Sequence, residues 1–114
     1  MEITERREGA VAVLALEGRL DGEAERALVE RVAALLDGGL RKIALDCGNL
    51  DYVSSAGLRA LLLALRRVKS ADGALAMGAV RDQVRQVLEM TGFAPHFAIH
   101  PRIEDATRAL AGPG

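Results

Sequence analysis

The sequence predicts an α/β domain in which strands and helices alternate around a mixed sheet. Three observations carry that reading. Apolar residues run almost unbroken through residues 11–16, as in a strand covered on both faces. The next segment changes to helical spacing, with Ala24, Leu28, Val32, Leu35 and Leu36 recurring on one side. Residues 42–46 then return to a short apolar strand, which makes a strand–helix–strand crossover with parallel pairing to residues 11–17.

Taken in order, residues 2–7 and 11–17 flank a Glu8-Gly9 turn and form an edge-and-centre hairpin. Gly18-Arg19-Leu20-Asp21 closes the second strand, and Asp21 is a good N-cap with Glu23 and Glu25 in the turn beyond it. The helix over 22–37 stops at Gly38-Gly39. After the strand at 42–46, residues 51–59 lead into a second helix over about 56–69, whose stripe is Leu58, Leu61, Leu62, Leu65 and Val68. Ala71-Asp72-Gly73 turns into a small-residue strand at 74–79. Val80, Val84, Val87, Leu88 and Thr91 give the buried side of a third helix ended by Gly92. A last strand at 97–100 precedes a fourth helix opened by Pro101 and carrying Ile103, Ala106 and Leu110, and the tail 112–114 frays. The order β-β-α-β-α-β-α-β-α makes one domain over 1–114, with a four- to five-stranded sheet and about four helices.

At 114 residues there is room for one core and none for a second, substrate-binding domain. Half the residues are apolar but only 3% are aromatic and none is Trp, so that core is aliphatic. A net charge of -1 provides no field for phosphate backbones or anionic lipid, which argues against direct nucleic-acid binding. Arg66, Arg67 and Lys69 are the nearest approach to a basic patch, at a helix end where cations complement the dipole. Apolar stretches fall far short of the ~18 residues that span a bilayer, and Cys47 has no second cysteine to pair with. A cytoplasmic protein without a membrane segment is expected.

The chemistry concentrates in residues 51–59. Ser54 and Ser55 stand where a helix begins, so either hydroxyl can cap unpaired N–H groups, and a phosphate there meets the positive end of the helix dipole. On residue type alone both are ordinary caps. Asp21, Asp46 and Asp51 lack the fixed spacing of a cation site, and His96 and His100 lie in loop and strand without the helical pairing of a zinc site, so no metal and no cofactor are expected. No Gly-rich phosphate cradle and no serine–histidine arrangement with an orienting acid can be placed.

In the order Gly18-Arg19-Leu20-Asp21, Leu45-Asp46, Val53-Ser54-Ser55-Ala56-Gly57-Leu58-Arg59 and Gly92-Phe93 with Phe97-Ala98-Ile99, the chain resembles the STAS family, anti-sigma factor antagonist type, over nearly its whole length. The resemblance implies a binding module, not an enzyme. Such a module binds an anti-sigma factor serine kinase, frees a sigma factor, and is switched off when the kinase phosphorylates one serine; a serine phosphatase is the implied reversing partner. By position the acceptor is Ser55. The family pattern has Asp before that serine and Ser or Thr after it; here Ser54 and Ala56 stand there, which leaves Ser54 as the rival acceptor.

The expected partner surface is Asp21, Ser54, Ser55, Gly57 and Arg59, which the resemblance implies, with Leu63 added from its helical face, in a monomer or weak dimer. Asp21 has helix capping as its plainer role. Leu63 shares a helical face with Arg59, Arg66 and Arg67, an apolar spot ringed by cations or one more harmless exposed leucine. Two alternatives remain: a STAS-type scaffold in a lipid-transport or stress complex without phosphoregulation, and a small hydrolase or nucleotide-binding enzyme using the serine pair.

Overall fold

In a computed structural model that describes residues 1–112, the chain runs β1 (Glu2–Glu8), β2 (Val11–Leu20), α1 (Gly22–Asp37), β3 (Lys42–Val53), α2 (Ser55–Ser70), β4 (Ala74–Gly78), α3 (Asp82–Met90), a 3-10 turn (Ala94–His96), β5 (Ala98–His100) and α4 (Ile103–Ala111). The five strands lie in sequence order in one mixed sheet: β1 is antiparallel to β2, and every later pair is parallel. The element order is the expected one.

Alternation along β2 explains the layering. Ala12, Leu14 and Leu16 join the main core with Leu28, Val32, Leu61, Ala64, Val84 and Leu88 from α1, α2 and α3. Val11 and Val13 point the other way, into a smaller cluster with Ala44, Ala76, Ile103 and Ala106 under α4. Both faces of the central strands are therefore covered. Each fully buried leucine contributes about 1.5–3 kcal/mol relative to exposure, and Leu14, Leu16, Leu20, Leu28, Leu45, Leu50 and Leu61 are all of that kind.

The edges are guarded. β1 carries Glu2, Glu5, Arg6, Arg7 and Glu8, with ion pairs Arg6–Glu8 and Arg7–Glu5 along the strand and Arg31–Glu5 from α1. At the opposite edge β5 is only three residues long.

Several boundaries differ from the sequence reading. β2 does not close at Gly18 but continues through Leu20, with Gly18 at φ +103 beside a shift in register. β3 does not end at Asp46. It continues to Val53 because it takes up extra residues against β2: Ala15 faces Asp46 and Glu17 faces Asn49, then Gly18 faces Leu50 and Arg19 faces Tyr52.

Thr91 is exposed, its hydroxyl donating to the Val87 carbonyl at 2.7 Å, while Val80 precedes α3. Pro101 does not open α4, which begins at Ile103 after Arg102. Gly112 follows α4; Pro113 and Gly114 of the expected frayed tail lie outside the described residues.

Candidate functional site

Parallel pairing of β2 and β3 places Leu20 beside Val53, so the helices that follow them, α1 and α2, start side by side at one end of the sheet. Asp21 caps α1, its carboxylate accepting from the Glu23 N–H at 3.1 Å and the Ala24 N–H at 3.3 Å. Ser54 caps α2, its Oγ accepting from the Gly57 N–H at 3.1 Å. The two caps are linked through Leu20, whose carbonyl accepts from the Ser54 N–H at 3.0 Å and from the Ser54 hydroxyl at 3.4 Å.

Gly57 makes that junction possible. A Cβ there would run into the Leu20 carbonyl, with its carbonyl carbon 2.8 Å away and the Leu20 side chain at 3.0 Å. Absence of a side chain lets the first turn of α2 press on the end of β2, so Gly57 is buried structure and not partner-facing surface.

The two serines therefore separate. Ser54 is half-buried, with its hydroxyl engaged on both sides. Ser55 is the first residue of α2 and is exposed. It sits where the leading N–H groups of the helix have no intrahelical partner and the dipole is positive.

Arg59 departs from expectation. Its guanidinium is held bidentate by Glu25 of α1, at 2.8 and 3.0 Å, so it is a clasp between the two helices rather than a free cation beside Leu63. The hydrogen bond and charge of Arg59 hold the Glu25 carboxyl below its ordinary range, and the same carboxylate raises Arg59. Leu63 is half-buried against α1. It lines one groove with Gly22, Glu25, Arg26, Val29 and Glu30, and another with Leu36, Arg41, Arg66 and Arg67. Of the expected ring of cations, Arg66 and Arg67 line the second groove and Arg59 lines neither.

Two further groups frame the site. Arg19 stacks over the Tyr52 ring, 4.1 Å from its centroid, and Tyr52 is among the few large apolar side chains left exposed. Arg81 reaches from the start of α3 to the far half of β3, donating to the Gly48 carbonyl at 2.7 Å and to Asp51 at 2.6 Å. Sequence reasoning missed both; the register of β2 on β3 brings Arg19 to Tyr52, and no local pattern announces it.

The three aspartates do not converge: Asp21 caps α1, Asp46 accepts from the Gly48 N–H at 3.1 Å, and Asp51 holds Arg81. Among the described residues no group of three or more His, Cys, Asp or Glu comes together as a metal site. His96 lies in the 3-10 turn and His100 at the end of β5, neither on the elements that carry the serines. Burial drives the Cys47 thiol up to about 12, with the Asp46 charge adding to the rise, so it is inert at neutral pH. Among the described residues no helix is long and apolar enough to cross a membrane.

The STAS domain family model matches residues 2–106. Over 110 residues the chain is 33% identical to BtrV of Bordetella bronchiseptica, a candidate anti-sigma factor antagonist, covering 96% of this chain and 95% of that one. A candidate anti-sigma factor antagonist of Thermotoga maritima superposes with TM-score 0.88 at 21% identity, over 96% of this chain and 94% of its own. The anti-sigma factor antagonist SpoIIAA in its unphosphorylated form gives 0.84 at 20% identity, over 99% of each chain. The Bacillus SpoIIAA in its phosphorylated form gives 0.72 at 18%, over 95% of this chain and 99% of that one. These superpositions establish a shared fold.

Proposed function

The chain belongs to the STAS domain family, and from that premise we propose that it is an anti-sigma factor antagonist, a binding protein that engages an anti-sigma factor serine kinase and is released from it by phosphorylation of Ser55. The observation that carries the reading is the division of labour between the serines. Ser54 is consumed by capping α2 and bonding Leu20, whereas Ser55 presents an exposed hydroxyl at the first turn. A kinase can reach Ser55 without unmaking the fold.

In that reaction the γ-phosphoryl group of ATP passes to Ser55 Oγ, the hydroxyl proton goes to the kinase's base, and ADP leaves. The product carries about -1.5 to -2 charge at the positive end of α2, so its own helix accommodates it. A partner surface fitted to a neutral hydroxyl must instead desolvate or repel a dianion, and a penalty of ~2.7 kcal/mol weakens binding ~100-fold. The surface proposed to meet the kinase takes in Asp21 at the start of α1, Tyr52 with Arg19 at the ends of β3 and β2, and the Arg59–Glu25 pair that joins the first turns of α2 and α1. Ser55 is a substrate and the chain supplies no catalytic group.

The test is a pull-down from lysate of the source organism, followed by incubation with the recovered kinase and ATP and mapping of the phosphate by mass spectrometry. A small ATP-binding serine kinase, phosphate on Ser55, binding retained by Ser55→Ala and lost in Ser55→Glu are expected. Phosphate on Ser54 alone, or undiminished binding by the fully modified chain, overturns the proposal.

A further inference from the structure

Resting on Ser55 as the acceptor, we propose that Arg59 is the internal receptor of its phosphate: on modification the guanidinium leaves Glu25 of α1 and pairs with the phosphate one turn back on its own helix. Ser55 and Arg59 are four residues apart on α2, so their Cβ atoms are about 5–6 Å apart on the same face. That spacing lets an extended arginine meet a phosphate on the shorter side chain.

The present bond is built to be exchanged. The Arg59 side chain is 65% exposed, with solvent to swing into once released, whereas that of Glu25 is only 22% exposed and lines the α1–α2 groove. A phosphate competes with a carboxylate for a guanidinium through higher charge and three acceptor oxygens, and here the start of α2 holds it in place. Other charged groups on the elements flanking Ser55 are Asp21 at the cap of α1, Glu23 and Arg26 within it, Asp51 of β3, and Arg19 of β2 over Tyr52. Arg19 is committed to that ring and Asp51 to Arg81.

Two changes follow from one transfer. The clasp between the first turns of α1 and α2 opens beside the groove of about 490 Å³ that Gly22, Val29 and Leu63 help to line. Glu25 is left as an uncompensated carboxylate near the new phosphate, so a surface that was locally neutral at this pair becomes anionic on both helices. A partner thereby senses the modification on α1 as well as at Ser55.

The experiment needs no kinase. Phosphoserine is installed at position 55 of the full chain by an expanded genetic code, and the second phosphate ionisation, ordinarily near 6, is followed by 31P NMR. Arg59→Gln is expected to raise that midpoint by about half a unit or more, since a neighbouring cation favours the dianion. Glu25→Gln is expected to lower it below wild type by removing both a competitor for Arg59 and a neighbouring negative charge, and this effect is expected to shrink when Arg59→Gln is already present.

The Glu25 carboxyl midpoint, followed by 13C NMR, is expected to rise toward the ordinary glutamate value in the phosphorylated chain. A phosphate midpoint indifferent to Arg59→Gln, or an unmoved Glu25, overturns the proposal. Both substitutions are at exposed or half-exposed side chains, and circular dichroism verifies the fold. Because the phosphoserine is incorporated during translation, a kinase that marks Ser54 would refute the acceptor assignment without altering this measurement.

Discussion

The Arg81 guanidinium holds the Asp51 carboxylate at 2.6 Å, thirty residues apart in sequence, and so fastens the part of β3 that has lost its neighbour on one side. β4 pairs with β3 only as far as Asp46, opposite Gly78, so residues 48–53 have β2 on one flank and Arg81 on the other. Ser54 follows directly.

Removal of that strap loosens the approach to the serines. Arg81→Ala is expected to lower stability by about 0.5–1.5 kcal/mol, since the pair is exposed and most of the effect comes from the bond to the Gly48 carbonyl. Hydrogen exchange should accelerate over residues 48–54 and not in α1. Uniform acceleration, or none, would show that Arg81 is not a local fastening.

Capping separates the serines without any partner present. Ser54→Ala is expected to lower stability by about 0.5–2 kcal/mol in urea denaturation, and Ser55→Ala to stay within about 0.5 kcal/mol of wild type. Asp21→Ala belongs with Ser54→Ala, at about 0.5–2 kcal/mol. Equal effects from Ser54→Ala and Ser55→Ala would contradict the assignment of the cap.

Gly57→Ala forces a methyl group into the Leu20 carbonyl. A loss of roughly 1–3 kcal/mol is expected, as for other overpacked sites, together with changed NMR shifts at Leu20, Asp21 and Ser54. Gly9→Ala is a useful contrast: its strain is conformational, at φ +61 with open space around it. A harmless Gly57→Ala would mean that α2 can retreat from β2 freely.

Cys47 gives a signature in alkali. Its folded value of about 12 stands above an ordinary 9.0, so the unfolded chain loses the thiol proton first. Stability from this group is complete below pH 9 and declines as pH rises toward 12, by up to ~1.4 kcal/mol per pH unit. Urea denaturation between pH 8 and 11 should show a steeper decline for wild type than for Cys47→Ala, about in that proportion. Parallel curves would mean that the thiol ionises freely in the folded state.

Elements ruled by a single period were legible in the sequence. The stripe from Ala24 to Leu35 and the cap at Asp21 define α1 to the residue, because propensity, capping and burial agree there. The second half of β3 was not legible, since Gly48, Asn49 and Asp51 carry turn chemistry and bulge only against a particular partner strand. At the site, the serine pair was visible as a helix start, but which member caps α2 needed the Leu20 carbonyl, which register brings from thirty-four residues away. Arg59 misled for the same reason: its partner lies on another helix.

The charged β1 and the three-residue β5 make both outer strands of the sheet uninviting. Strand addition reads main-chain amides, which are alike in every protein and indifferent to what a side chain carries. With that mode discouraged at the β1 and β5 margins, the partner binding proposed above rests on the relief of side chains at the paired helix starts. On that proposal one added phosphate reverses it, because a single substituent is a large fraction of what such a surface says.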